Sequence, residues 1–191
     1  MQATADRLNE LVLTNGTRLQ TGFVDTPYLM HALSAYGHTD TAYGLLLQET
    51  YPSWLFSVNQ GATTIWEHWE GVRADGSLND TGMNSYNHYA YGAVADWMYG
   101  VAAGICTDEN APVFENVILK PQPDPRLGFV KASIDTRFGI LRSEWRYDGD
   151  EVIFEFCVPN CAVILLNRQR FDVGCGIHRM RMDAAGRVIQ L

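Results

Sequence analysis

The run Val152-Ile153-Phe154-Glu155-Phe156-Cys157-Val158 alternates: Val152, Phe154, Phe156 and Val158 share one side of an extended chain, with Ile153, Glu155 and Cys157 on the other. A period of two is that of a half-buried strand; a helix would scatter the same residues around its surface. Asp148-Gly149-Asp150 before the run and Pro159-Asn160 after it are turn formers, so hairpin connections are expected on both sides. Moving outward, residues 139–147 and 162–167 read as the neighbouring strands. Beyond them come 129–135 and 114–119, parted by the breaker run Pro121-Gln122-Pro123-Asp124-Pro125, and the tail 187–191 supplies a final strand. This half is predicted to be a small antiparallel β-sandwich.

The character changes near residue 107. Leu8, Leu11 and Val12 suit a helix stopped at Asn15-Gly16, a C-terminal capping pair. Thr26-Pro27 offers an N-cap with proline in the first turn, and Leu29, Met30, Leu33 and Tyr36 follow at helical spacing until Gly37. Asp25 is a further capping candidate. Thr39 or Asp40 starts a third helix carrying Ala42, Leu45 and Leu46, broken at Tyr51-Pro52. A longer fourth helix is predicted from near Tyr86 through Ala90, Val94, Trp97, Met98 and Val101 to Gly104. The chain therefore reads as α+β and multidomain, helical over 1–107 and sandwich-like over 108–191.

Composition narrows the function classes. Of 191 residues 47% are apolar and 19% charged, enough for a packed core. The net charge of −8 lacks the clustered Lys and Arg that nucleic-acid binding needs. No run approaches the ~18–20 apolar residues of a membrane span. The start, Met1-Gln2-Ala3-Thr4-Ala5-Asp6-Arg7, has no basic head followed by an apolar stretch, which makes cytoplasm the default expectation. The four cysteines are too sparse for a disulfide framework and are expected as buried thiols.

Residues 52–83 form an unusually long connection between predicted helices, and long connections are commonly functional or disordered. Its aromatic content argues for function. Trp54, Trp66 and Trp69 lie here, the last two flanking Glu67 in Thr63-Thr64-Ile65-Trp66-Glu67-His68-Trp69-Glu70-Gly71. Flat rings that stack on sugar C–H faces, beside carboxylates that bond hydroxyls or move protons, suit a carbohydrate site. Met83-Asn84-Ser85-Tyr86-Asn87-His88-Tyr89 then brings Asn84, Asn87 and His88 to the expected helix N-terminus, where they could face the same cleft. The residues alone leave plainer readings open: tryptophans as core, a solvated glutamate, a satisfied histidine, Asn84 as an N-cap. Metal-binding, phosphate-loop and nucleophile-elbow motifs are absent from the sequence.

Three stretches together carry a resemblance: Tyr51-Pro52-Ser53-Trp54, Gly61 to Trp69, and Met83 to Val94. They resemble the bacterial α-L-rhamnosidases of glycoside hydrolase family 78, as do Thr21-Gly22-Phe23, Asp40 to Leu46 and Ile118-Leu119-Lys120-Pro121. The resemblance implies an (α/α)6 barrel followed by a C-terminal β-sandwich. It implies inverting hydrolysis of terminal α-L-rhamnosides by two glutamates, without a metal or other cofactor in the chemistry. Glu67 matches the family's general base and His88 its sugar-contacting histidine; Trp66 and Trp69 would line or brace the pocket, with Trp54 and Asn84 as further binding candidates. The family's general acid lies well upstream of the base, and nothing in residues 1–50 resembles it. About four helices also cannot close a twelve-helix barrel. The chain is thus expected to be the C-terminal part of a rhamnosidase, weakly active or inactive alone, with a rhamnose-containing partner and self-association through exposed barrel helices. A non-catalytic carbohydrate-binding or interaction module, or another (α/α)6 glycosidase or lyase, is the competing expectation.

Overall fold

Helix α1, Gln2–Thr14, stops where the sequence places a glycine. Gly16 takes φ +71° and donates its N–H to the Leu13 carbonyl (3.0 Å), while Thr17 N–H reaches Val12 O (2.9 Å), closing the last turn as a left-handed cap does. The computed structural model describes residues 1–79, 82–108 and 111–191, which fold as two units, Met1–Trp97 and Met98–Leu191.

In the first unit α2, Thr26–Ala35, and α3, Thr39–Leu46, form a short hairpin around Gly37 (φ +88°). Their inner faces bury Leu29, Met30, Leu33, Ala42, Tyr43 and Leu45. Trp97 fills the space beside them. Its ring meets Tyr43 edge-on at 5.0 Å, and its indole N–H donates to Ser34 Oγ at 2.9 Å. A buried indole needs such a partner, because an unmatched donor in an apolar core is costly.

Four local expectations are corrected here. Thr26 is the first helical residue of α2, not its cap: Asp25 holds the cap position, and Thr26 Oγ1 donates back to Gly22 O at 2.8 Å. Helix α3 ends at Leu46 rather than Tyr51, because the following residues are tied to the α1 exit. Gln48 Nε2 donates to the Gly16 and Thr17 carbonyls, and Leu19 N–H donates to Pro52 O. The 52–83 connection contains an unpredicted helix, α4 (Trp54–Asn59), whose N-cap Ser53 accepts the Phe56 N–H at 3.1 Å. The long helix expected from Tyr86 begins only at Ala90. It consists of a 3-10 turn, Ala90–Ala93, one α-turn, α5 (Val94–Trp97), and a π-turn, Met98–Ala102, that belongs to the second unit.

The second unit is a sandwich of two sheets. One is ordered β1 (Ile105–Thr107), β2 (Asn116–Leu119), β6 (Cys161–Leu166), β7 (Gln169–Val173). The other is β3 (Phe129–Thr136), β4 (Gly139–Asp148), β5 (Glu151–Val158), β8 (Gly176–Met182), β9 (Val188–Gln190). All pairings are antiparallel except β2–β6, which is parallel, so the sandwich is not wholly antiparallel as predicted. The reason is topological: the chain leaves β2 to build the β3–β4–β5 meander of the other sheet, and returns beside β2 in the same direction.

Alternation in β5 is realised as read, with Val152, Phe154, Phe156 and Val158 all at most 2% exposed. They meet Leu141, Trp145 and Met180 of their own sheet and Val117, Leu119, Ile164 and Leu166 of the other. Burying each such side chain contributes about 1.5–3 kcal/mol. Trp145 is anchored by its indole N–H to Ala102 O (2.7 Å), and Ser143 Oγ donates to Ala103 O (2.6 Å). Between them and β1 sits Gly104, with φ +69°; a Cβ there would lie 2.0 Å from Pro121 N, so only glycine fits. The cysteines differ from expectation. Cys106 and Cys157 are half-buried, whereas Cys161 and Cys175 are exposed, one on the outward side of β6 and one in the turn before β8, and no disulfide joins them.

Candidate functional site

The site residues gather in the first unit because hydrogen bonds join two irregular stretches, 64–67 and 85–88. Glu67 N–H donates to Ser85 O (2.8 Å) and His88 N–H to Ile65 O (2.8 Å), with Thr64 Oγ1 bonded to Tyr86 O between them. Ser85 N–H and O, Tyr86 O and His88 N–H are therefore bonded to the other stretch, and the Asn87 N–H turns locally to Ser85 Oγ. This is the physical reason that no helix starts at Tyr86. Asn84 and Asn87 consequently stand on an irregular segment ahead of the helical run, and of the three only His88 lies at its N-terminus, two residues before Ala90.

The carboxylate of Glu67 folds back on the same pair. Its Oε2 accepts the Ser85 N–H at 2.7 Å, which fixes one oxygen and leaves the other to a ligand. His88 is held on three sides. Its Nδ1 accepts the Ala90 N–H (3.2 Å), Phe23 stacks on its ring at 4.6 Å and 14°, and Tyr89 lies parallel at 5.4 Å. With Nδ1 acting as acceptor, the neutral ring carries its proton on Nε2 and presents a donor there.

The tryptophans divide into two groups. Trp66 is 7% exposed and packs edge-on against Tyr86 at 5.7 Å, over Gly71, so it braces the Glu67 segment from behind. Trp69 is half-buried and stacks on Tyr91 at 3.7 Å and 20°, while Trp54 meets Trp69 edge-on at 5.4 Å and donates its indole N–H to Tyr91 O at 2.9 Å. Burial pushes the Tyr91 phenol above its ordinary value. Trp54, Trp66, Trp69 and Tyr91 line a pocket of about 290 Å³ together with Ile65 and His68. Asn84 donates from Nδ2 to Asn79 O at 3.3 Å, and its buried Oδ1 has no hydrogen-bond partner among the described residues. The structure thus brings Glu67, Asn84 and His88 onto two cross-bonded stretches with the three tryptophans behind and beside them, while none of Glu67, Asn84 and His88 is among the residues lining the tryptophan pocket.

Sequence reasoning missed Phe23 and Tyr91 as neighbours of the site. Phe23 sits 65 positions before the ring it stacks on, and no local pattern signals that distance. Among the described residues, no group of three or more His, Cys, Asp or Glu side chains could hold a metal ion. No helix is long and apolar enough to cross a membrane, again among the described residues.

Comparison with known proteins places these features. The bacterial alpha-L-rhamnosidase 6 hairpin glycosidase domain matches residues 1–102, and the bacterial alpha-L-rhamnosidase C-terminal domain matches 104–170. An alpha-L-rhamnosidase of an Alteromonas species is 40% identical over 153 residues, covering 80% of this chain and 16% of that protein. One from Streptomyces avermitilis is 37% identical over 158 residues, covering 83% and 15%. The crystal structure of the Streptomyces avermitilis enzyme complexed with L-rhamnose superposes with a TM-score of 0.87 at 31% identity, over 95% of this chain and 20% of that one. The chain spans about a sixth of the length of the curated relatives it matches. Its helices correspond to part of a six-hairpin barrel and its sheets to the sandwich that follows.

Proposed function

The chain belongs to the bacterial α-L-rhamnosidase family, and on that premise we propose that its first unit carries the base half of an inverting rhamnoside hydrolase. Glu67 takes the proton of the attacking water as the oxocarbenium-like transition state forms. Inversion needs the second carboxyl roughly 6.5–9.5 Å away, so that the water fits between base and anomeric carbon. The Nε2 donor of His88 bonds a sugar hydroxyl, and Asn84 Oδ1 offers an acceptor near it. Trp66 braces the base, and Trp54 and Trp69 shape the pocket wall. The observation that supports this reading best is the mutual bonding of Glu67 and Ser85, which holds a carboxylate oxygen in place with its partner oxygen available.

No residue of the chain is assigned to protonate the leaving oxygen. General acid catalysis is worth roughly 10²–10⁴-fold, so alkyl rhamnosides are cleaved slowly or not at all by these 191 residues alone. A leaving group that needs no proton separates the two halves of the chemistry. α-L-Rhamnosyl fluoride is expected to be hydrolysed with inversion in a Glu67-dependent manner, while a methyl rhamnoside is not. Fluoride release unaffected by Glu67→Gln, together with no change in tryptophan fluorescence on adding L-rhamnose, would overturn the reading.

The helical unit also exposes Leu11 and Leu13 on α1, Val24 in the turn before α2, and Tyr28 in the first turn of α2. Self-association through these helices covers that apolar surface, and a concentration-independent monomer in light scattering would refute it.

A further inference from the structure

The outer face of the five-stranded sheet in the second unit carries an open hollow of about 890 Å³. We propose that this hollow is a second, non-catalytic binding site for a neutral saccharide. It shares no residue with the Glu67 site and does not depend on that site's chemistry.

Three observations carry the proposal. The first is an ordered row across four strands: Lys131 pairs with Glu144, Glu144 with Glu155, and Glu155 with Arg179. Neighbouring strands are about 4.8 Å apart, so the row presents donor, acceptor, acceptor and donor at roughly the spacing of a sugar ring. Second, the row contains two carboxylates directly opposite each other, an arrangement that is unfavourable unless something else bonds them. Arg179 Nε does so for Glu155 at 2.7 Å. The nearest cation to Glu144, Arg142, stands 3.9 Å away, beyond hydrogen-bond reach, so Glu144 keeps accepting capacity toward the hollow. Third, Phe129 lies at the rim of the hollow with 61% of its surface exposed, and Ile153 contributes an apolar patch to the floor. An open ring beside a bed of donors and acceptors is what the two faces of a pyranose require.

Charge decides the class of ligand. Lys131, Arg146 and Arg179 are balanced by Glu144, Asp148 and Glu155, so the side-chain charges of the lining sum to zero. A strongly anionic or cationic partner gains nothing from such a surface, whereas a polyol uses both kinds of group.

The test is an amide NMR titration of the intact labelled chain with L-rhamnose, with cellobiose and with D-galacturonate. The expected result is shifts at residues 129–131, 144–146, 153–155 and 179 with a neutral sugar at millimolar concentration. Phe129→Ala should weaken that binding roughly tenfold, and Glu144→Ala should weaken it similarly, with the folded spectrum retained. Glu67→Gln should leave it unchanged. Shifts confined to residues 64–91 would overturn this site while supporting the catalytic reading. A response to galacturonate but not to either neutral sugar, or none on these strands at tens of millimolar, would also overturn it.

Discussion

Glu67 and Ser85 hold each other by two hydrogen bonds: Glu67 N–H to Ser85 O at 2.8 Å, and Ser85 N–H to Glu67 Oε2 at 2.7 Å. The backbone bond fixes the register of the two stretches and the side-chain bond fixes the carboxylate. Glu67→Gln preserves an acceptor oxygen for the Ser85 N–H, so stability should change by about 1 kcal/mol or less. Glu67-dependent release from α-L-rhamnosyl fluoride should nevertheless fall by roughly 10²–10⁴-fold. Urea denaturation and fluoride release, measured on the same preparation, check both halves.

Gly71 is the second control on this segment. A Cβ at this position would lie 2.9 Å from the Trp66 ring and 3.1 Å from Tyr86. The two rings pack on each other edge-on, and the Tyr86 hydroxyl donates to Gly71 O at 2.8 Å, so neither yields without moving the segment. Gly71→Ala should cost about 1–3 kcal/mol and lower rhamnose-induced fluorescence change along with it. An unchanged unfolding midpoint would show that the Trp66–Tyr86 contact is looser than described.

Trp54 links helix α4 to the site through one bond, its indole N–H to the Tyr91 carbonyl. Trp54→Phe keeps most of the ring but leaves that buried carbonyl without its donor. The loss should be about 1–3 kcal/mol, whereas Trp54→Ala adds a cavity and should cost ~3–5 kcal/mol. Denaturant titration of the two variants separates the hydrogen bond from the packing.

The sandwich carries its own pH-dependent element. Asp124, 6% exposed, accepts the Arg126 N–H at 2.9 Å and the Arg126 guanidinium at 2.8 and 2.5 Å. The hydrogen-bonded guanidinium holds its carboxyl below the ordinary aspartate value of 3.8. A carboxyl whose folded value is depressed stabilises the fold fully above the unfolded value, and that contribution is lost as pH falls through the folded value. Asp124→Asn should therefore destabilise the protein by about 1–3 kcal/mol at pH 7, with the difference shrinking only below about pH 4. A difference that grows on acidification would contradict this assignment.

Strands β3 to β6 were legible because one face of each meets the core, so alternation in residues such as Val152 to Val158 reports burial directly. Strand β8 was not. Its run Gly176–Met182 carries His178, Arg179 and Arg181, and among its residues only Met180 is fully buried. Polar side chains on a solvent face mask the period of two. Helix α4 was missed although Ser53 is a standard cap, because its six residues are too few for a periodic signal.

By itself the sequence determined the order of the halves, helices then sandwich, and the residue types of the site, with Trp66, Glu67 and Trp69 on one stretch and Asn84 and His88 on the other. These are local properties, set by spacing and side-chain chemistry within a few residues. Only the tertiary structure decided that Tyr86–Tyr89 is an irregular, cross-bonded segment rather than the first turn of a helix, that Phe23 lies on His88, and that β2 and β6 run parallel. Each of these is a pairing between distant segments. A backbone N–H that finds a carbonyl across the fold is no longer available to a helix, whatever the local pattern favours.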